Sequence, residues 1–516
     1  MSTLDLADIQ GNLLRGYRSA HARHFALGVG DAAGARAFLG QLVAGPGIPT
    51  PQITTAEEWD STPPYCLNIG LTWAGLEALG VTPAVLADFP TAFREGAAQR
   101  ATDPDPDFPD GVGLGDVEDS APDRWILGGS NTPTVHIVLS LYTHDQDPRR
   151  LREVSAQLCT LYAAQHLTVI STHDATALPR GAVHFGYRDG IAQPHVRGGP
   201  TREFRDMQPQ ADTGDFLLGC DYTNIYGGNF LEDLPPALGD NACYAAFRIL
   251  RQDVQGFEAL LQAWGQAWQL DPELIAAKLV GRWRNGVPLT LSPAAARADP
   301  PIRKNQLNNF DYAPAPGHPT FYDDVDGRRC PVGALIRRLN PRSSLVMGQP
   351  HSRRVIRRSM PYGPPFDHDH ADDGIDRGLI GLFLCGDLEL QYEFLLRVWA
   401  NEDLSTHGLR GTRDPMLGAQ PPGGGRFVLR TDDSRDPIVM TGLPRLVQTL
   451  GSVYCLVPGI KGLRFLAGLS AGSAGSAGSA ESAGPTGSAG SAGPTGSAGS
   501  AGPAGFAGPG EDDAHG

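Results

Sequence analysis

The chain has 516 residues, 41% of them apolar, with 57 acidic against 42 basic side chains, a net charge of -15 and a pI near 5.4. That length is enough for two or three domains with sizeable cores, and the acidic balance speaks against nucleic acid and anionic membrane as general partners. No apolar run approaches the ~20 residues a membrane helix needs. The N-terminus MSTLDLADIQ shows no basic stretch leading into an apolar one, and the seven cysteines are scattered singly, which together read as a cytoplasmic protein with buried thiols.

In chain order, Arg23 to Val29 reads as a strand and Ala32 to Val43 as an Ala-rich helix. Leu67 to Leu71 is a second strand, followed by a helix from Trp73 to Leu79 that stops on Gly80. Residues 100 to 134, rich in Asp, Pro and Gly, read as a long surface loop. An apolar run from Val135 to Tyr142 is of strand length and precedes a helix from about Arg149 to His166. After residue 200 the logic repeats, with strand-like Phe216–Gly219, Ala245–Leu250, Leu379–Cys385 and Ser452–Val457, and helix-like Val254–Trp268, Pro272–Leu279 and Leu388–Trp399. The pattern predicts two α+β halves, residues 1–200 and 201–468. From 469 to 516 the chain is Ser-Ala-Gly repeats with scattered proline, which cannot bury a core and read as a disordered tail.

Chemistry concentrates in Cys330–Gly363, where Arg337, Arg338, Arg342, Arg353, Arg354, Arg357 and Arg358 stand in an otherwise acidic chain. Rigid guanidinium forks at this density suit a carboxylate, a phosphate or a developing oxyanion, or they form a solvated basic face. The breaks at Asn340-Pro341 and at Pro361-Tyr362-Gly363 predict two short elements that fold back and converge their arginines. Asp189 sits in Phe185-Gly186-Tyr187-Arg188-Asp189-Gly190, where glycines let backbone approach a ligand closely; an Asp-Gly turn is the plainer reading. His184, just before it, reads as a core histidine. Phe366-Asp367-His368-Asp369-His370-Ala371-Asp372-Asp373 has a metal-like composition but reads first as a solvated acidic loop.

The runs CPVGALIRRLNPR and RRSMPYG, with Gly186-Tyr187-Arg188-Asp189-Gly190 supplying a GxxDG motif, resemble the dye-decolorizing (Dyp-type) haem peroxidases. The similarity extends more weakly from Asp8-Ile9-Gln10-Gly11-Asn12 to Pro458-Gly459. It implies an α+β fold of two ferredoxin-like halves in a dimeric α+β barrel-like arrangement. It also implies haem b as cofactor, and hydrogen peroxide and a small-molecule reductant such as a phenol or dye as partners. Asp189 then matches the residue that shuttles the peroxide proton, and Arg357 the arginine that stabilises charge during O–O cleavage. Arg342 and Gln193 fall among the cofactor-binding positions, and Glu393 matches an acidic partner of the iron ligand. The frame Gly333-Ala334-Leu335-Ile336-Arg337 departs from the family at one residue: Leu335 stands where the resemblance places the axial histidine, and leucine has no lone pair for iron. His351, sixteen residues on, is the nearest replacement in sequence.

Deleting residues 470–516 is expected to leave the melting temperature unchanged, because such a composition buries no apolar area; a clear drop in a thermal scan would mean that the tail docks.

Overall fold

In the computed structural model the described residues are 4–103, 112–199, 210–220, 234–297, 301–313, 323–343, 351–367, 374–403, 408–430 and 436–470. The expected tail and the His368–Asp373 cluster lie outside them. The first half contributes strands β1 (His21–Val29), β2 (Cys66–Leu71), β3 (Ile137–Thr143) and β4 (Leu167–Thr176); the second contributes β5 (Cys243–Gln252), β6 (Ile356–Tyr362), β7 (Gly378–Cys385) and, after the hairpin β8 (Gly425–Leu429) and β9 (Ile438–Leu443), β10 (Val447–Val457). All but the hairpin join in one antiparallel sheet, ordered β4-β1-β3-β2-β10-β5-β7-β6. Each half taken alone has its first, second, third and fourth strands in the order 4-1-3-2, the ferredoxin-like arrangement. Edge strands β4 and β6 touch, so the sheet curls toward a barrel.

Strand side chains alternate between two buried faces. Phe25, Leu27, Leu67, Ile69 and Leu139 belong to the cluster under the helices Ala32–Leu42 and Arg149–Ala164, and on the same face Tyr244 packs on Phe93 and Tyr454 on Tyr392. Ala22, Ala26, Val138, Phe247, Leu382 and Cys455 face the interior of the curl. Burial on both faces explains why the central strands read as unbroken apolar runs. The exposed edge strand β4, with burial only at Leu167 and Ala175, carried no such signal.

The seam between the halves is thin. β2 and β10 share the single registered pair Leu71–Leu456, and Gln10 supplies what the ladder does not. Its buried amide donates to the carbonyls of Ile69 and Pro458, both at 2.9 Å, and accepts from the Ile69 N–H at 2.9 Å. Asp8 accepts from the Lys461 N–H at 2.7 Å and from Asn241 at 2.8 Å, so the N-terminal motif clasps the C-terminal helix Ile460–Ala467. Gly11 is required by space: a Cβ there would stand 2.6 Å from the Thr55 carbonyl oxygen.

Three expectations are corrected. Phe216–Gly219 is not a strand; it follows a short 3-10 turn, its leucines filling the core. Leu388–Trp399 is helical but wound as two π-segments, Leu388–Glu393 and Leu395–Ala400. The described part of the 100–134 loop is not a surface decoration: Trp125, Leu127 and Asp116 are buried, and Asp116 pairs with the buried Arg248 of β5.

Gln10→Leu strands the Ile69 N–H and C=O and the Pro458 C=O inside the seam. Each buried unsatisfied group costs about 1–3 kcal/mol, so chemical denaturation is expected to show a loss of about 3 kcal/mol or more; a loss under about 1 kcal/mol would mean that the seam is held elsewhere.

Candidate active site

The loop holding Asp189 is built from main-chain bonds. The Val183 N–H donates to the Tyr187 carbonyl at 2.9 Å, the Asp189 N–H to Gly181 at 2.9 Å and the Arg188 N–H to Arg284 at 2.8 Å. Gly186 and Gly190 have φ of 85° and 74°, a region L-residues enter only at a cost, which is why glycine flanks the motif on both sides. Phe185 and Tyr187 anchor the loop in an apolar cluster with Phe257 of the helix Val254–Trp268, and the Tyr187 hydroxyl donates to the Ala276 carbonyl at 2.7 Å. His184 is buried and its Nε2 lies 2.8 Å from the carbonyl oxygen of Tyr362, the last residue of β6. A motif close in sequence to the first half is thus seated on the second.

β6 presents the other partner. Ile356, Met360 and Tyr362 face the interior of the curl, and so does Arg358, whose guanidinium donates to the carbonyls of Asn12 at 2.6 Å and Leu13 at 3.0 Å. Alternation turns Arg357 the opposite way. Its Nη2 lies 3.6 Å from Asp189 Oδ1, and the two side chains remain 38% and 33% exposed, enough for a small ligand to reach both. Gln193 completes the group, its Oε1 accepting from the Arg357 N–H at 3.1 Å. Asp189, Gln193 and Arg357 are therefore together.

Arg337, Arg338, Arg342 and Arg353 give donors to main-chain carbonyls. Arg337 is fully buried and donates to the carbonyls of Asp324, Cys330 and Val325; Arg338 donates to those of Ala400, Glu402 and Thr412. Arg342 donates to Asn308 and Phe310 and lies 3.8 Å over the Phe310 ring. Arg353 is buried against the Phe394 ring and donates to Leu390. The physical reason is that irregular backbone around Asn308–Phe310, Asp324–Cys330, Ala400–Glu402 and Thr412 buries carbonyls whose donors no sheet supplies.

Leu335 opens the helical turn Leu335–Arg338 and packs, partly buried, against the apolar cluster of Phe185, Tyr187 and Phe257. His351 has a left-handed backbone, φ 61°, and a buried Nδ1 with no hydrogen-bond partner. Burial, with Arg354 and Arg342 nearby, pushes its pKa down to about 4, so it is a neutral imidazole at ordinary pH. Glu393 is fully buried, its carboxylate taken by Arg100 at 2.6 Å and by the Tyr454 hydroxyl at 3.0 Å. The residues fit a haem peroxidase on the Asp189–Arg357 side; at position 335 they offer no donor.

Sequence reasoning missed Arg284. It donates to the Phe185 carbonyl at 2.7 Å, pairs with Glu258 at 2.8 Å and Glu273 at 3.2 Å, and lies over the rings of Tyr187 and Phe257. Only its place in a Trp-Arg-Asn-Gly turn marked it in sequence.

A paired ferredoxin-like sheet with a carboxylate–guanidinium couple between a loop and a strand defines the class of protein. No family model matches the sequence. The chain is 28% identical to a dye-decolorizing peroxidase of Mycena epipterygia over 90% of its own length and 87% of that protein's, and 29% identical to one of Exidia glandulosa with the same coverage. It is 27% identical to the multifunctional dye peroxidase DyP2 of Amycolatopsis sp., covering 89% and 96%. A solved dye-decolorizing peroxidase in complex with 2,6-dimethoxyphenol superposes with a TM-score of 0.72 at 25% identity, covering 90% of this chain and 100% of that one. Another, an aspartate-to-asparagine variant in complex with cyanide, gives a TM-score of 0.73 at 25% identity and the same coverage. The chain is thus similar in sequence and in fold to dye-decolorizing peroxidases along nearly its whole length.

Arg284→Met is expected to loosen the Asp189 loop, raising amide exchange over residues 185–190 by at least about ten-fold while leaving the central strands protected. Unchanged exchange there would assign the loop's order to Tyr187 and the main-chain bonds alone.

Proposed function

We propose that the protein is a peroxidase that uses hydrogen peroxide to oxidise small phenolic or dye-like reductants, with haem b as its cofactor. The observation that carries this reading is the 3.6 Å contact between Asp189 and Arg357. Haem, when bound, supplies the electrons for peroxide reduction and recovers them from the reductant. The chain's own residues handle protons and charge. The Asp189 carboxylate takes the proton from one peroxide oxygen and delivers it to the departing one, which requires both oxygens within about 3 Å of it. Arg357 stabilises the negative charge that builds on the departing oxygen, and Gln193 holds the strand that aims it. Arg342 acts from behind, fixing the Asn308–Phe310 segment. The seven free thiols suit a cytoplasmic location, and among the described residues no helix is long and apolar enough to cross a membrane.

Leu335 favours a second reading, a haem-free relative whose retained Asp189–Arg357 pair binds another anionic ligand or does acid–base work. The two readings separate on one spectrum. Titrated with haemin, the unmodified protein is expected to show a weak Soret band or none, and Leu335→His to gain the band together with peroxide-dependent dye oxidation. In that background Asp189→Asn and Arg357→Leu are each expected to lower the rate about 10²–10³-fold. A stoichiometric band in the unmodified protein, abolished by His351→Ala, would move the axial bond to His351. A Leu335→His protein that takes up no haem would leave the haem-free reading standing.

A further inference from the structure

A cavity of about 350 Å³ opens where β5 ends and the helix Val254–Trp268 begins, walled also by residues 374–377 and 445–448. None of Asp189, Gln193, Leu335, His351 or Arg357 lines it, so it is separate from the pair described above. Its volume lies at the small end of ligand sites, which run roughly 300–1,000 Å³.

Three independent features bear on an occupant. The first is the start of a fifteen-residue helix, whose first-turn N–H groups and dipole favour negative charge. The second is cationic: Arg251 reaches the cavity half exposed, and Arg445 sits at its wall. Arg445 is pinned through Nη1 to the Gly115 carbonyl at 3.0 Å and the Ser120 hydroxyl at 2.8 Å, which leaves its Nη2 with no partner. The carboxylates along the wall are engaged, Asp253 with the Gly256 N–H and Asp119 with Arg124. The third is Gln252, only 7% exposed, whose Oε1 also has no partner. A buried amide oxygen without a donor is uncommon, and a ligand in the adjoining space can supply one.

We propose that this cavity binds a small hydroxylated carboxylate. The carboxylate lies at the helix start between Arg251 and Arg445, and the hydroxyl donates to Gln252 Oε1, the side-chain amide turning about its terminal torsion to meet it. A plain carboxylate would answer the cations and leave Gln252 unsatisfied; a neutral polyol would do the reverse.

Isothermal titration of the full chain with malate, succinate and inorganic phosphate tests this. Malate is expected to bind with a millimolar or tighter Kd, and succinate, which differs by one hydroxyl, about ten-fold more weakly. Gln252→Leu should erase the preference for malate, and Arg251→Gln, at an exposed position, should weaken both ligands. Should Gln252→Leu fail to fold by circular dichroism, the malate-to-succinate ratio of the unmodified protein and the Arg251→Gln variant decide the matter. No heat with malate at about 10 mM, equal affinity for malate and succinate, tighter binding of phosphate than of malate, or loss of malate binding in Arg357→Leu would each overturn the assignment.

Discussion

One seam holds the two halves of the sheet together. The Asp189 loop is seated on the second half, which also carries Arg357, so their 3.6 Å approach is set there and the first half must be fixed against it. The sheet does this through edge strands that pair at one registered position. A single pair cannot hold two domains against thermal motion, because each backbone bond nets only about 1 kcal/mol. Gln10 is therefore central: one buried amide satisfies both polar groups of Ile69 and reaches across to Pro458. The same motif then offers the carbonyls of Asn12 and Leu13 to Arg358, next to Arg357. The N-terminus, the C-terminal helix and the site-bearing strand are tied by one short segment.

The arginines divide into two kinds of work. Those at 337, 338, 342, 353 and 358 give their donors to carbonyls that irregular backbone leaves inside the protein. A guanidinium serves there because it bonds several carbonyls at once and cannot lose its charge near neutrality, and stacking on Tyr312, Phe310 or Phe394 offsets part of its desolvation. Arg357 differs in that solvent reaches both it and the carboxylate beside it, whereas Arg337 and its neighbour Asp324 are fully buried. Charge density in the sequence signalled arginines with a purpose, yet it did not separate scaffold from chemistry, because both uses call for the same residue.

What was legible follows from where each signal lives. The central strands and the helices Val254–Trp268 and Arg149–Ala164 announced themselves through apolar runs and periodicity. β4 and β6 did not, since an edge strand with polar or arginine-rich faces has no apolar pattern to read, and β6 contains Pro361. Asp189 and Arg357 were singled out by resemblance to a family motif, and the fold brings them to 3.6 Å of each other. Arg284 and Gln10 were opaque as structural residues: their work is with partners 99 and 448 positions away, and no local pattern carries that. The π-winding of Leu388–Ala400 was hidden as well, because its apolar spacing serves a helix of either pitch.

That division of labour bears on position 335. The turn Leu335–Arg338 takes its place from its two arginines, with Arg337 bonded to the 324–330 loop and Arg338 to residues 400–412, while residue 335 itself only packs against an apolar cluster. A leucine there satisfies everything the fold asks, since it fills space beside Phe185 and Tyr187 and leaves no polar group buried. Residue 335 packs with the cluster that anchors the Asp189 loop, a role that asks for apolar volume and no polar group. A leucine at this position is therefore compatible with close agreement in architecture with the dye-decolorizing peroxidases.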